Sequence, residues 1–311
     1  MLEQKIRPME PVSRKEPFDS PDYLFQVKWD GVRMLAFVSA GAVRLQNRNL
    51  NDRTRQYPEL QQLARSVKAS TAILDGEVVA FYQGKPSFPR VIKRDLASRD
   101  SHIRGLVEEV PVHYILFDIL YLDGTRVTPL PLTDRYSLLS TIVLPTPQIM
   151  VTDNYDAGRA LFTAVAEQGL EGIVAKHRNS PYLPGKKDAR WLKVKVRNRR
   201  LCVVGGYTTR GSVANALLLG AYDRDQLHYV GKASSGLSHQ EWRTITGYLA
   251  GNEQPHPPFV NPPRGRPGTF HWVRPALTVR VEFSEWTGEM HLRAPVITGF
   301  GTAAPEECVL Y

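Results

Sequence analysis

The sequence predicts an α+β protein of two domains, antiparallel sheets with helices over residues 1–199 and a small β-barrel over residues 200–311. Up to about Arg199, β-type runs alternate with stretches of helical spacing; beyond Arg200 the texture is mostly β with Gly/Pro turns. The boundary falls where that texture changes, at residues 196–201. A length of 311 residues, 42% hydrophobic and 23% charged, is enough for two cores. It excludes a disordered tail, a collagen-like repeat and a disulfide miniprotein.

In chain order, the first domain offers strands at residues 23–29, 32–40, 42–46, 72–82, 112–122, 171–176 and 191–196. Residues 57–67, 134–142 and 155–168 carry helical spacing. Asp30-Gly31, Asp75-Gly76 and Asp123-Gly124 read as tight turns, which favour antiparallel sheets over a parallel wound sheet. No GxGxxG or GxxxxGK[ST] occurs, which argues against a Rossmann or P-loop phosphate cradle. The second domain offers strands at 201–209, 214–223 and 227–233, a helix near 239–249, a loop at 255–268 and a β run at 271–287. That inventory fits an OB-fold barrel.

No apolar run approaches the ~18 residues that cross a bilayer, and the N-terminus lacks the apolar core of a signal peptide. Cys202 and Cys308 fit neither a disulfide framework nor a metal-ligand spacing. These features predict a cytoplasmic protein with no membrane partner.

Forty Lys and Arg against 31 Asp and Glu give a net charge of +9, which suits a polyanion binder. Residues 186–200, KKDARWLKVKVRNRR, hold eight cations and one acid. This reads either as a solvated basic face or as a half-buried strand in which Trp191, Leu192, Val194 and Val196 roughly alternate with Lys193 and Lys195. The second reading aims both lysines at one target. In Gln26-Val-Lys-Trp-Asp-Gly-Val-Arg33, a lysine ends an apolar strand, Asp-Gly follows and an arginine begins the next strand. Alone, KxDG reads as an ordinary hairpin with a surface lysine.

Its downstream company changes that reading. Arg48-Asn49, Leu74-Asp-Gly-Glu-Val-Val79, Leu116-Phe-Asp-Ile-Leu120, Leu170-Glu-Gly-Ile-Val-Ala-Lys176 and Trp191-Leu-Lys-Val-Lys195 follow in order. With Lys28-Trp-Asp-Gly-Val-Arg33 they resemble the motifs of covalent nucleotidyltransferases, specifically ATP-dependent DNA ligases. The detail is most similar to the ligase domain of bacterial end-joining DNA ligase D and its stand-alone relatives. The resemblance implies an adenylation (nucleotidyltransferase) domain followed by an OB-fold, with ATP and Mg²⁺ or Mn²⁺ as cofactors. It also implies a monomer acting on nicked or broken duplex DNA, beside a Ku-like end-binding partner.

It assigns roles as well. Lys28 becomes the nucleophile that takes AMP. Lys193 and Lys195 bind the α-phosphate, Glu77 the ribose, and Phe117 stacks on adenine. Arg33 and Arg48 contact the ribose or the nick's phosphate. Lys176 joins the cations around the nucleotide, and Glu171, with Glu77, becomes a candidate metal ligand. The chemistry is coherent: an attacking amine must be neutral, and converging cations with partial burial lower its pKa. Each residue keeps a plainer reading. Phe117 sits in an apolar run and reads as core, Glu77 as a strand-face carboxylate, and Glu171 as a cap on the 154–169 helical region. Arg94 matches a family arginine only loosely.

The sequence departs from the family at two places. Gln26 stands where many relatives have a glutamate, which predicts a modest effect on nucleotide affinity. Gly301, Thr302, Ala303 and Ala304 stand where the family has Arg-x-Asp-Lys, the motif that orients departing pyrophosphate. The main expectation is an ATP-dependent DNA ligase sealing through lysyl-AMP, with weakened self-adenylylation. The alternatives are a non-catalytic nucleic-acid-binding paralogue, and an RNA ligase or capping-type nucleotidyltransferase.

Overall fold

Strand Val32–Ser39 shows how the first unit is built. Met34, Ala36 and Val38 face one way and Leu35 and Phe37 the other, and all five are buried, so the period of two makes both faces apolar. The computed structural model describes residues 1–266, 268–284, 286–287 and 289–310. It divides into Met1–Val196 and Arg197–Tyr311. In the first unit, a seven-stranded sheet runs in the order Ala42–Asn47, Val32–Ser39, Thr71–Tyr82, Val112–Leu122, Thr125–Arg126, with Lys85–Pro86 and Ile149–Val151 paired at its margins. One face packs under helices Phe88–Asp95, Asp100–Glu109 and Leu132–Ile142 through Leu74, Val91, Leu106 and Leu139. The other, through Leu35, Phe37, Ile73 and Leu120, meets Met9, Tyr182 and Trp191.

Trp191 belongs to a four-stranded sheet ordered Glu10–Ser13, Lys187–Lys195, Gly172–His177, Tyr23–Val27. Its far face packs on helix Gly158–Glu167 through Phe25, Leu161, Ile173 and Val194. This corrects the grouping of Trp191 with Leu192, Val194 and Val196. A strand alternates strictly, so Trp191 shares the face of Lys193 and Lys195, while the other three line the opposite cluster.

Only one of the three Asp-Gly pairs joins a hairpin. Asp123 (φ 40°) and Gly124 (φ 86°) turn Val112–Leu122 into Thr125–Arg126. Asp75-Gly76 lies inside strand Thr71–Tyr82, at a bulge, and the fully buried Asp75 carboxylate accepts bonds from Arg33 and Tyr182. Asp30-Gly31 carries the chain from one sheet to the other, so KxDG is not a hairpin here.

Two helices escaped the sequence reading, Phe88–Asp95 and Asp100–Glu109. The first hides its buried face behind charge. Arg94 is fully buried, donating to the carbonyls of Gln56, Leu106 and Val110 and to Glu59. Its hydrogen bonds make it an internal strut; it does not line the cavity described below.

The second unit is an antiparallel sheet ordered Gln226–Ala233, Val213–Asp223, Asn198–Arg210, His271–Phe283. Glu253–Gln254 and Val296–Phe300 pair with opposite ends of the last strand. Leu292 N–H donates to Val230 O (2.7 Å) and Ile297 N–H to Ser235 O (2.9 Å). These bonds link the last strand's region back to the first edge and curl the sheet into an OB-type barrel. Helix His239–Ala250 covers it with Trp242, Ile245 and Leu249 and starts in a Ser238/Glu241 capping box. Of the segments read from sequence, Pro267, Glu285 and Gly288 lie outside the described residues. Among the described residues, no helix is long and apolar enough to cross a membrane.

Candidate active site

The sheet face that is apolar at Leu35, Phe37 and Ile73 continues into polar side chains. Arg33 and Glu77 are register partners across Val32–Ser39 and Thr71–Tyr82, and Leu35 pairs with Asp75. On Val112–Leu122, a bulge leaves Phe117 without a direct partner between Leu116 and Asp118, and it lines the cavity. Bulges commonly re-aim a side chain in this way. From the smaller sheet come Gln26, Lys28, Val174, Lys176, Trp191 and Lys193. The two sets line one cavity of about 380 Å³, within the range of small-molecule sites.

Lys28 follows strand Tyr23–Val27 and donates its backbone N–H to Gly172 O (2.8 Å). Its ammonium bonds Glu171, whose other oxygen accepts from Lys195 at 2.6 Å. One carboxylate therefore holds two lysines. This corrects the sequence picture of Lys28 meeting cations alone, and of Glu171 as a helix cap. Glu171 directly precedes strand Gly172–His177, three residues past the Gln168 C-cap of helix Gly158–Glu167. Lys193 does lie in the field of Lys28, Lys195 and Lys187; burial first, then those charges, lower its pKa, against the pull of Glu10.

Lys176 lines the same cavity in a different setting. Its ammonium sits 4.3 Å from the Phe117 ring centroid and 4.2 Å from that of Trp191, and donates to Phe117 O at 3.3 Å. Desolvation pulls its pKa down to about 7; Asp118 and Asp75 oppose, while Arg33 and Arg135 assist. Arg33 is gripped by Asp75 in two bonds (3.0 and 2.6 Å) and lies 5.2 Å from the Phe117 ring. Gln26 is buried and donates to Asn154 Oδ1 at 2.7 Å. Arg48 is exposed at the cavity rim.

The structure thus brings Lys28, Arg33, Arg48, Glu77, Phe117, Glu171, Lys176 and Lys193 to one cavity, with Lys195 joined through Glu171. Sequence reading missed the supports. Tyr182 OH donates to Asp75 Oδ2 (2.6 Å). Arg135 is fully buried and holds Asp118 in two bonds (2.7 and 2.9 Å). The only available sign was charge inside an apolar pattern, Asp118 in Val112–Leu122 and Arg135 in Leu132–Ile142.

Glu77 carries a testable signature. Desolvation raises its carboxyl to about 8; Lys28 and Arg33 pull down, Glu171 and Asp75 push up. A raised folded pKa favours the protonated form, so its contribution to stability is complete below the unfolded value. It is lost as pH rises through about 8. In the absence of nucleotide, Glu77→Gln should therefore melt progressively higher than the wild type as pH goes from 5 to 9. A melting difference that does not change with pH would contradict this.

The family pattern described as "ATP dependent DNA ligase domain" matches residues 1–195, and that of the "ATP dependent DNA ligase C terminal region" matches residues 210–301. The chain belongs to the ATP-dependent DNA ligase family. It is therefore a covalent nucleotidyltransferase of the DNA ligase class. It is 34% identical over 281 residues to the multifunctional non-homologous end joining DNA repair protein LigD of Mycobacterium tuberculosis, covering 87% of this chain and 35% of that protein. This ligase chain thus spans about a third of that relative's length. The crystal structure of the ligase domain from M. tuberculosis LigD matches at TM-score 0.56 and 31% identity, covering 98% of each chain. A mycobacterial DNA ligase D complexed with ATP and MES matches with 32% identity, TM-score 0.56 and the same coverage.

Proposed function

We propose that this ligase seals breaks or nicks in duplex DNA during end-joining repair, through AMP carried on Lys28. The observation that carries the reading is Lys28 on the wall of a nucleotide-sized cavity, facing Glu171 and Lys195 while Phe117, Lys176 and Trp191 line the same cavity. A ligase D complexed with ATP shares 32% of its residues, which supports ATP as the nucleotide.

The steps follow from the side chains. Lys28 Nζ, once deprotonated, attacks the α-phosphorus of ATP, the bond to the β-phosphate oxygen breaks, and pyrophosphate leaves. Lys193 and Lys195 offset the charge developing on the α-phosphate. Phe117 offers a ring face for adenine, and Glu77 an acceptor for the ribose. AMP then passes to a DNA 5′-phosphate, and attack by the 3′-hydroxyl releases it. Among the described residues no cluster of three acidic or imidazole groups could hold a metal. Glu77 and Glu171 at the cavity still fit Mg²⁺ or Mn²⁺, because such an ion uses one or two carboxylates plus substrate phosphates. When bound, it adds positive charge beside the reacting phosphate. A Ku-like end-binding partner fits the same reading.

The test is a covalent adduct, stable to SDS and alkali but released by hot acid as a phosphoramidate is, after incubation with α-labelled ATP and Mg²⁺ or Mn²⁺. No adduct with either metal, alongside no sealing of a pre-adenylated nick, favours a non-catalytic nucleic-acid binder. GTP in place of ATP as the labelling nucleotide favours a capping-type enzyme.

DNA binding should be electrostatic. Of the eight cations in residues 186–200, Arg190 pairs with Asp188, Lys195 with Glu171 and Arg199 with Glu282. Among the described residues the other five have no acidic partner within ion-pair distance. If four engage phosphates, log Kd should rise with log salt at a slope of about 3 to 4. An affinity indifferent to salt would contradict it.

A further inference from the structure

We propose that a groove on the first unit, lined by Arg7, Arg48, Lys186 and Lys187, receives the pyrophosphate that leaves when Lys28 is adenylylated. The inference rests on the lysyl-AMP reading above and assigns the leaving group a site that the barrel does not provide.

The groove is a second cavity, of about 450 Å³, and it adjoins the nucleotide cavity because both are lined by Glu10, Arg48 and Asn49. Four cations face one acid, Glu10. Among the described residues, none of the four makes an ion pair or a side-chain hydrogen bond, so their charge is not neutralised by neighbours. A charged run is ordinarily just a solvated face, but these four come from three separate segments. Each is held by its backbone. Gly185 N–H donates to Arg7 O and Glu10 N–H to Lys186 O, both at 2.8 Å, which fixes the N-terminal segment beside the lysines. Leu183-Pro184-Gly185-Lys186 closes a turn through Lys186 N–H to Leu183 O (3.1 Å), with Gly185 at φ 73° as a type II turn requires. Arg48 sits in a turn that the Asn47 side chain ties by accepting from the N–H groups of Asn49 and Asn51, both at 3.0 Å.

The groove is also electrically continuous with the reacting centre. Lys187 contributes to lowering the pKa of Lys193, which lines the nucleotide cavity. A polyphosphate whose α-phosphate lies by Lys28 and Lys193 therefore finds its next cations at Lys187, Lys186 and Arg7.

In the barrel, by contrast, Gly301 to Ala304 carry no charge. That departure is built into the packing. Gly301 N–H donates to Thr278 O (2.8 Å), and a Cβ added at Gly301 would stand 2.6 Å from Thr278 Oγ1 and 3.2 Å from Leu201 Cδ2. An arginine there would first have to displace the Thr278 side chain. In the charging step the Pα–O bond breaks, its electron pair stays on pyrophosphate, and the proton of the Lys28 amine passes to solvent. The cations that accept this charge come from the first unit.

The probe is inorganic pyrophosphate, which reverses charging by discharging lysyl-AMP to ATP. Arg7→Gln and Lys187→Gln should each raise the half-saturating pyrophosphate concentration about 10-fold. The double variant should slow single-turnover charging about 10²-fold, the lower end of what losing a leaving-group donor costs. Sealing of a pre-adenylated nick by Arg7→Gln, measured at saturating enzyme, should hold its wild-type rate, because Arg7 lies outside the basic run 186–200 that meets DNA. Unchanged pyrophosphate dependence overturns the proposal. So does the result in which charging is unaffected while affinity for a 5′-phosphorylated nick drops relative to the unphosphorylated one, since the groove would then hold a DNA phosphate. Failure of sealing and charging together in the wild type would instead sink the lysyl-AMP reading. Circular dichroism of the double variant confirms that its fold is retained.

Discussion

Lys28→Ala should yield no covalent, SDS-resistant label from α-labelled ATP, with either metal and at any pH between 6 and 9. The loss should be complete because a covalent step has no partial substitute. The side chain is about one-fifth exposed and belongs to no apolar cluster, so its removal should change stability by roughly 0.5 kcal/mol or less. Glu171 keeps Lys195 as its partner and is not left as an unpaired buried charge. The sharpest rival is Lys176. Burial lowers its pKa to about 7, so its amine is available in the neutral form that a nucleophile needs. Geometry excludes it: it is 2% exposed and its ammonium is close to two aromatic rings and a carbonyl. Peptide mapping should therefore place the wild-type adduct on Lys28. Lys28→Arg keeps a cation opposite Glu171 and guards against a folding artefact; it too should be unlabelled. Label on Lys176 in either variant would falsify the assignment.

Much of this was legible because motif residues sit at fixed strand positions. Lys28, Arg33, Glu77, Lys193 and Lys195 could be placed on strand ends and faces from alternation alone, since a period of two leaves little choice. Trp191 shows where that logic slips. It is apolar and was grouped with its apolar neighbours, but parity puts it among the lysines, where it gives Lys176 one of its aromatic neighbours. Asp75 shows a different limit. Asp-Gly signals a turn locally, yet Arg33 and Tyr182 satisfy this carboxylate inside a sheet, and both partners are distant in sequence. Arg94 and Arg135 were opaque for the same reason. A buried arginine looks like a surface residue until the carbonyls and carboxylates around it are known. Glu171 was visible as a motif member, but its grip on two lysines joins strand ends that only the fold brings together.

Sealing of a pre-adenylated nick should run at least about 10²-fold faster than self-charging with ATP, both measured in single turnover. The two steps release different leaving groups. Charging expels pyrophosphate, whose developing charge needs preorganised cations; Gly301, Ala303 and Ala304 supply none, and the groove of Arg7, Lys186 and Lys187 replaces only part of that contact. Losing such a contact commonly costs ~10²–10³ in rate, about 3–4 kcal/mol. On the proposed reading, sealing expels AMP and draws on Lys28, Arg48, Glu77, Lys193 and Lys195, all of which are present. Gly301→Arg has to displace the Thr278 side chain, whose Oγ1 would stand 2.6 Å from the new Cβ, so it should destabilise the barrel. Ala304 is different. It lies in the β region at the start of a short 3₁₀ turn, its N–H donating to Glu307 (2.7 Å), and its exposed side chain leaves room for a cation. Ala304→Lys should therefore narrow the gap between the two rates, provided that the leaving-group charge is what limits charging. The rates are read from one enzyme preparation on a plain nick with ATP and on the same nick already carrying AMP. Equal, robust rates in the wild type would show that pyrophosphate release does not limit this ligase, and that its neutral C-terminal segment costs it nothing.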